Sequence, residues 1–308
     1  MTYTLGIDVS GYQDPERVNY AELKAHGFKF VVVKLDQYLT EEHITLARAA
    51  GLEVGGYFWN DPLDAPAWQA ARILNEVKRL GLRFAALDVE QWWSDWDAWW
   101  KAIQNQIPWT QVPHFTPLQI ANNAGQVMAL VKDAITVPWM VYTARWFTDA
   151  WAGPIMNWIG AYQSWVAQYI QPAVGMNNHI TWEQMQALPG SSVLRPLAGS
   201  TPKIWQVSGS FIYPGRSYDA YDTNLFLGSQ ADLDAWLKFP APDPEFIPYR
   251  VKTTAYNGLR VRDLPSIQGN ILGKLWPGSA AVTIVEEQDG WGRFCGGWIL
   301  LAWVKRVG

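Results

Sequence analysis

Residues 84–90 read Phe-Ala-Ala-Leu-Asp-Val-Glu, a short apolar run that ends in two acids separated by one valine. A run of this length without polar alternation is typical of a strand that is buried on both faces. Side chains at positions i and i+2 of a strand point to the same side, about 6–7 Å apart. We therefore predict a core strand whose end presents the carboxyl groups of Asp88 and Glu90 together.

Seven further apolar runs lie in the first 238 residues, and amphipathic segments such as 20–26, 41–50 and 65–80 separate the early ones. The runs begin at Thr4, Phe30, Leu52, Trp139, Ser164, Lys203 and Tyr221. Apolar strands that alternate with helices form a parallel sheet covered by its crossovers. Eight such strands predict an α/β fold with a closed TIM-like (β/α) barrel, irregular in its later part. An open doubly wound sheet is the alternative, although no glycine-rich phosphate loop follows the first strand.

A proline-rich segment marks the end of this barrel. Residues 239–248 contain four prolines, which favours an extended spacer over a helix or a central strand. In residues 249–308, glycines punctuate short runs of β-branched and aromatic residues, a pattern typical of a small all-β barrel. We predict a barrel domain at 1–238, a linker at 239–248 and a β module at 249–308.

Composition excludes several classes of protein. The 308 residues include one cysteine, Cys295, and four histidines, so we expect no internal disulfide, no metal and no cofactor. We interpret Cys295 as a packed apolar residue. No run approaches the roughly 20 apolar residues of a membrane helix, so we expect no membrane insertion. The first residues show neither the basic start nor the apolar stretch of a secretory signal.

Charge is unevenly distributed along the chain. Residues 249–308 carry eight basic and four acidic side chains, a net +4, and the total of −4 therefore leaves −8 on residues 1–248. A basic module on an acidic body indicates two different tasks, with the module contacting an anionic partner. Random drift of charge over a short segment is the alternative.

Polar residues end the predicted strands, at the edge where parallel barrels build their active sites. The acids among them are Asp8, Asp88, Glu90 and Asp222, and other candidates are Tyr57, Trp59, Tyr142, Gln168 and Gln206. Buried carboxyl groups are costly unless they are paired or hydrogen-bonded, so packing alone explains four of them poorly. Neighbouring carboxyls split their pKa values, which leaves one protonated and one charged, as glycoside cleavage requires. A solvated acid pair at a strand end is the alternative.

A tryptophan-rich segment, Gln91-Trp-Trp-Ser-Asp-Trp-Asp-Ala-Trp-Trp100, follows the acid pair directly. Aromatic faces pack on the C–H groups of sugar rings, so this neighbourhood suits a polysaccharide. Helical spacing favours one buried helix face made of Trp92, Trp96, Trp99 and Ile103. Trp93 and Trp100 lie off that face, and we predict that they contact the ligand together with the strand-end aromatics.

In this order, the motifs resemble those of glycoside hydrolase family 25, the N-acetylmuramidase group of lysozymes. The similar stretches are 6–13, 30–34, 56–57, 87–90, 165–169, 204–206 and 221–226. The resemblance implies a general acid/base at Glu90, a partner carboxyl at Asp88 and further acids at Asp8 and Asp222. It implies cleavage of the β-1,4 bond between N-acetylmuramic acid and N-acetylglucosamine in peptidoglycan. Whether Asp88 acts as a nucleophile or positions the substrate's acetamido group stays open.

Departures from the family pattern fall at the predicted mouth. Leu35-Asp-Gln-Tyr38 stands where the family usually has Ala-Thr-Glu-Gly, and Phe58-Trp59 where it commonly has His-Phe. Residues 104–117 and 172–202 are longer than the family minimum, and we expect them to enlarge the groove walls.

The tail resembles a bacterial SH3-like (SH3b) module. The similar motifs are Gly258-Leu-Arg-Val-Arg262, Gly290-Trp-Gly-Arg293 and Gly297-Trp298. Such modules bind cell walls in lytic enzymes, and the positive charge suits anionic wall polymers.

The resulting hypothesis is a muramidase similar to phage endolysins, with bacterial peptidoglycan and no nucleic acid as its partner. We expect synthesis in a host cytoplasm and release at lysis. A non-catalytic wall-binding or virion structural protein on the same barrel is the alternative. A chitinase-like hydrolase is a third hypothesis, but Ala86 occupies one of the acidic positions of its expected motif.

Overall fold

The computed structural model of the chain describes eleven stretches of sequence. They are residues 2–37, 39–170, 178–179, 182–183, 194–197, 199–212, 220–238, 249–279, 281–284, 286–294 and 297–307. The predicted linker at 239–248 and the packing predicted for Cys295 lie outside the described residues.

Nine strands and seven α-helices are described before the predicted linker. The strands are β1 (Thr4–Val9), β2 (Phe30–Lys34), β3 (Glu53–Trp59), β4 (Ala85–Asp88), β5 (Trp139–Ala144), β6 (Gln163–Ala167), β7 (Asn178–His179), β8 (Thr201–Ile212) and β9 (Ala220–Phe226). The helices are α1 (Tyr20–Ala25), α2 (Thr40–Ala49), α3 (Pro66–Arg79), α4 (Trp96–Ile103), α5 (Pro117–Lys132), α6 (Arg145–Trp151) and α7 (Gln230–Leu237).

Eight of these strands close into a barrel. β1 to β6 are parallel neighbours in chain order, and β6 pairs in parallel with β8. β9 runs antiparallel to both β8 and β1 and so completes the ring, while β7 pairs only at the far end of β8. The prediction of a closed eight-stranded α/β barrel is confirmed, and the open sheet is excluded. The irregularity comes from β9, because a direct return from β8 leaves no room for a crossover helix.

Bulky aromatic side chains fill the amino end of the barrel. The rings of Phe30 and Phe84 lie 6.0 Å apart in an edge-to-face arrangement. Each covers a glycine on an adjacent strand, since a Cβ atom would lie 2.4 Å from the Phe30 ring at Gly6 and 2.3 Å from the Phe84 ring at Gly55. Absence of a side chain at these two positions is therefore what admits the rings.

Helix α7 also packs against the amino end of the barrel. It follows β9, and its Trp236 ring lies 5.2 Å from Phe84 and 5.4 Å from Phe226. The indole Nε1 donates a hydrogen bond to Gln163 Oε1 at 2.8 Å, which satisfies both polar groups. With the amino end filled, any opening into the barrel lies at the carboxyl ends of the strands.

An insertion, residues 91–116, separates β4 from the crossover helix α5. It is tied together by a bridge between Trp93 and His114, and it packs around Trp93, Ala102 and Val112. Its helix α4 begins after Asp95, whose carboxylate accepts the Ala98 N–H at 3.0 Å as an N-cap. Because α4 starts at Trp96, the predicted buried helix face is wrong. Trp96 is 46% exposed and Ile103 40%, and Trp92 lies outside the helix.

Residues 249–307 contain two small antiparallel sheets. Their strands are β10 (Tyr249–Thr253), β11 (Leu259–Arg262), β12 (Ile271–Leu275), β13 (Val282–Ile284), β14 (Glu286–Gln288), β15 (Trp291–Phe294), β16 (Gly297–Leu300) and β17 (Val304–Val307). The sheet orders are β13-β10-β17 and β12-β11-β16-β15-β14. They enclose a hydrophobic cluster of their own, with Val251, Ile284 and Ile299 almost fully buried.

No helix among the described residues is long and apolar enough to span a membrane.

Candidate active site

Strand register brings the four predicted acids to the open end of the barrel. Asp8 on β1 is the direct partner of Asp222 on the antiparallel β9. Asp88 is the last residue of β4 and is level with Trp59 on β3 and Tyr142 on β5. Glu90 follows two residues later and is partly buried. Four acids from three distant parts of the sequence therefore share one mouth.

Asp8 and Asp222 are held by amide side chains. Gln206 Nε2 donates to Asp8 Oδ2 at 2.9 Å and to Asp222 Oδ2 at 3.4 Å. Asn224 Nδ2 donates to Asp8 Oδ2 at 2.7 Å, and its own Oδ1 accepts the Trp165 Nε1–H at 2.8 Å. Asp8, Gln206 and Asn224 are buried and Asp222 is partly buried, so this network fixes the floor of the mouth.

The backbone between Asp88 and Glu90 is anchored to β5. Val89 N–H donates to Tyr142 O at 3.0 Å, and Val89 O accepts the Thr143 hydroxyl at 2.8 Å. Val89 is itself 1% exposed, as expected for a side chain that faces the helices. Both acids are thereby held on a rigid strand end and not on a free loop.

Burial dominates the protonation of these acids. It raises the pKa of Glu90 to about 7; the charge of Asp222 adds to the rise, while Lys34 and a hydrogen bond with Tyr142 oppose it. Burial and the charge of Glu90 raise the pKa of Asp88 well above its usual range. Asp88 Oδ1 has no hydrogen-bond partner among the described residues. With a pKa of about 7, Glu90 keeps its proton in a substantial fraction of the molecules near neutral pH.

The pKa values of Asp8 and Asp222 are raised as well. Burial raises the pKa of Asp222 to about 6. Burial and the charge of Asp222 raise the pKa of Asp8 well above its usual range, although the amide donors Asn224 and Gln206 act in the opposite direction. Two carboxyls in direct register share a proton more readily than they both ionise.

Lys34 also belongs to the site, although it is not among the site residues predicted from the sequence. It is level with Tyr57, and its Nζ lies 4.6 Å from the centre of the Trp59 ring. Burial lowers the pKa of the Lys34 ammonium, while Asp88 and Glu90 oppose that change. Lys34 thus places a cation beside the acid pair. Its position at the carboxyl end of β2 was the available signal.

Tyr57 and Tyr142 line the mouth next to the acids. The Tyr142 hydroxyl donates to Gln206 Oε1 at 2.9 Å, and both rings pack on Trp165, at centroid distances of 6.0 and 4.4 Å. Burial, followed by the nearby carboxyls, raises the pKa of both phenols. Both phenols therefore keep their protons near neutral pH and can donate hydrogen bonds there.

The remaining predicted contacts divide into several environments. Trp59 lies at the mouth, where its Nε1 donates to Gln91 Oε1 at 2.7 Å. Gln206, one of the predicted candidates, is 1% exposed, and its amide group donates to Asp8 and Asp222. Gln168 Oε1 accepts the Arg195 N–H at 2.9 Å, a contact outside the acid cluster.

Trp93 requires a correction. It was predicted as a sugar contact, but it is 5% exposed and stacks on Trp99 at 4.5 Å within the insertion. Its backbone pairs with His114, which turns the side chain into the small core there. Trp93 lies three residues beyond Glu90, after the end of β4 and before the start of α4, so neither strand nor helix periodicity predicts the direction of its side chain.

The described residues contain no group of three or more His, Cys, Asp or Glu side chains arranged to hold a metal ion. What the mouth does contain is a proton donor near neutral pH beside a second carboxyl, with aromatic rings around them. Acid-assisted cleavage of a glycosidic bond requires this combination of groups.

A closed α/β barrel with this mouth has the architecture of a glycoside hydrolase. The family model of glycosyl hydrolases family 25 matches residues 7–210, and the chain belongs to that family. It is therefore a glycoside hydrolase. No curated protein matches the chain.

Solved structures share the fold at low sequence identity. A muramidase from Trichobolus zukalii is 21% identical, with 76% of this chain and 99% of that one covered at a TM-score of 0.53. A family GH25 lysozyme from Aspergillus fumigatus is 20% identical, with coverages of 78% and 100% and a TM-score of 0.53. A bacterial lysozyme from Streptomyces coelicolor is 20% identical, with coverages of 77% and 97% and a TM-score of 0.54.

Proposed function

We propose that the chain is a muramidase that hydrolyses the β-1,4 bond between N-acetylmuramic acid and N-acetylglucosamine in peptidoglycan. One observation carries the proposal: Glu90 is a partly buried carboxyl whose pKa is raised to about 7 at a mouth shared with three aspartates. An acid with this pKa is protonated in about half of the molecules at neutral pH and can give up its proton readily. The names of the similar structures, muramidase and lysozyme, point to the same substrate class.

In the proposed reaction, Glu90 transfers its proton to the glycosidic oxygen as the bond from that oxygen to C1 breaks. Positive charge develops on C1 and the ring oxygen of the muramic acid unit, and the buried carboxyl of Asp88 stabilises it. The ionised Glu90 then removes a proton from water, whose oxygen bonds to C1. Glu90 regains its proton, and the products carry one added water molecule.

Two roles fit Asp88. As a nucleophile it would form an ester with C1, whereas in a substrate-assisted route the acetamido oxygen attacks C1 and Asp88 accepts the acetamido N–H. The second role is supported by the unpartnered buried Oδ1 atom, because that atom is available for a hydrogen bond from substrate. A thiazoline mimic of the acetamido-derived intermediate should then inhibit hydrolysis, while a fluorinated sugar that traps an Asp88 ester should not label the protein.

The acid is tested by clearing of purified cell walls with wild type and Glu90→Gln. The variant keeps the shape of the side chain but has no carboxyl proton, so the rate should fall by about 10²–10⁴-fold. Equal clearing by both proteins would refute Glu90 as the acid, and no clearing by wild type would favour a non-catalytic wall-binding protein. New reducing ends on muramic acid identify the bond; glucosamine ends would overturn it.

We further propose that residues 249–308 form an SH3-like module that binds anionic wall polymers. Like charges oppose each other on neighbouring strands, Lys252 with Lys305 and Arg260 with Lys274, and all four side chains are exposed. Directly opposed like charges destabilise a sheet, so their presence suits a module that meets a polyanion. Binding of the full chain to walls carrying or lacking their phosphate polymers, measured at rising salt, tests this proposal.

A further inference from the structure

The exposed tryptophans of the barrel region share one side of the molecule. Five tryptophans among the described residues of 2–238 are exposed: Trp68, Trp96, Trp100, Trp109 and Trp146. All five lie in the insertion or in the first turn of a helix that follows the carboxyl end of a strand. Large apolar side chains left in water are candidate contact positions, and which of them binds a ligand depends on how each one is held. The side that the five tryptophans share is the one that holds the acids.

One of these tryptophans is connected to the acid mouth by hydrogen bonds. Trp59 Nε1 donates to Gln91 Oε1 at 2.7 Å, and Gln91 Nε2 donates to Asp61 Oδ1 at 3.0 Å. Trp96 Nε1 lies 3.5 Å from Asp61 Oδ2 at the far end of this chain. A continuous chain of hydrogen bonds therefore connects Trp59, at the mouth, to Trp96 in the insertion.

The Trp96 ring is fixed and yet accessible. It lies 5.4 Å from both Trp93 and Trp99 and is nearly perpendicular to each, while those two rings stack on one another. Packing on two rings restrains the indole, so little rotamer freedom is left to lose on binding. The side chain nevertheless remains 46% exposed.

We propose that Trp96 and Asp61 form an additional sugar subsite that binds a saccharide unit of the glycan chain beyond the units held at the acids. The sugar would pack its C–H face on the Trp96 ring, and Asp61 would accept hydrogen bonds from its hydroxyl groups. An anionic membrane is disfavoured as the partner, because Asp95 and Asp97 flank Trp96. The subsite rests on the proposed muramidase function, and it makes the enzyme prefer long glycan strands.

The test compares peptide-free glycan oligomers of four and eight sugars as soluble substrates of the full chain. The ratio of kcat/KM for the long over the short oligomer should fall by about tenfold in Trp96→Ala. Trp96→Phe, which keeps an aromatic face, should recover most of the ratio, and Asp61→Asn should fall between the two. Trp109→Ala is the matched control, since Trp109 is a comparably exposed ring in the same insertion.

The outcomes separate the two proposals. Cleavage of neither oligomer by wild type would refute the proposed function itself. An unchanged ratio in Trp96→Ala, with wild type active, would overturn the subsite and leave the muramidase intact. An equal fall in Trp109→Ala would also overturn it, because the loss would then belong to the insertion as a whole.

Discussion

Asp8 and Asp222 lie directly opposite each other on the antiparallel strands β1 and β9, and a single amide group, Gln206 Nε2, donates to both. Burial raises the pKa of each carboxyl, and the charge of Asp222 also raises that of Glu90. The pair is therefore more than a support for the barrel mouth. Its protonation state sets part of the electrostatic potential at the proposed acid.

The first prediction concerns the charge of Asp222. Because this charge raises the pKa of Glu90, Asp222→Asn should lower the Glu90 pKa below about 7. Carbon NMR of the Glu90 carboxyl during a pH titration measures the change directly, independently of any loss of rate. An unchanged or higher pKa in the variant would contradict the coupling.

Lys34 should act in the opposite direction. Its ammonium group favours the charged form of Glu90, so Lys34→Met should raise the Glu90 pKa above about 7. In the pH profile of wall hydrolysis, the fall of rate on the alkaline side should then move to higher pH, because the acid keeps its proton longer. A shift to lower pH in Lys34→Met would show that the two charges do not act as the geometry indicates.

The third prediction links the same group to stability. The folded-state pKa of Glu90 is raised, so its contribution to stability is complete below its ordinary pKa and is lost as pH rises through about 7. Glu90→Gln should therefore be more stable than wild type at pH 8, by about 1–3 kcal/mol, and nearly equal to it at pH 4.

Urea unfolding at the two pH values measures this difference. Glu16→Gln changes an exposed acid on a surface turn and controls for the removal of one charge. A variant that is less stable than wild type at pH 8 would mean that the ionised carboxyl is compensated by its surroundings.

The fourth prediction concerns the packing at the closed end of the barrel. A Cβ atom on Gly55 would lie 2.3 Å from the Phe84 ring, which is fixed between neighbouring rings. Gly55→Ala should therefore cost about 1–3 kcal/mol and lower the thermal midpoint by several degrees. At Gly153 the nearest atom to a new Cβ is 3.8 Å away, so Gly153→Ala is a control for the substitution itself. Equal midpoints for both variants would show that the ring moves aside.

The barrel could be predicted because each of its strands can be recognised from a short stretch of neighbouring residues. Apolar runs of strand length recur at all eight barrel strands, and alternation within the run at 84–90 predicts that Val89, between the two acids, is buried against the helices, in agreement with its 1% exposure. Strand ends then mark the mouth, since parallel strands present their carboxyl ends on one side. The same rule identifies Lys34, the residue that ends β2.

The rest depends on contacts between distant positions. Nothing in the sequence near Gln206 or Asn224 reveals that both donate to Asp8, about 200 residues away, because register across β8, β9 and β1 decides it. The burial of Trp93 was missed for a similar reason. Its environment comes from the bridge to His114, formed by a return of the chain that no periodicity indicates.

The last prediction separates binding from stability in the basic tail. Lys252 and Lys305 are opposed on β10 and β17, so Lys305→Glu replaces a repulsive pair by an attractive one. Cross-strand pairs contribute about 0.2–1 kcal/mol, and the variant should therefore be slightly more stable while it binds cell walls more weakly at low salt. Pull-down on purified walls at several salt concentrations, together with thermal unfolding, measures both effects.

Lys78→Glu makes the same charge change on an exposed face of α3 and controls for net charge. Equal loss of binding in both variants would assign the effect to the charge of the whole chain, whereas a loss confined to Lys305→Glu places the anion-binding surface on the tail sheets.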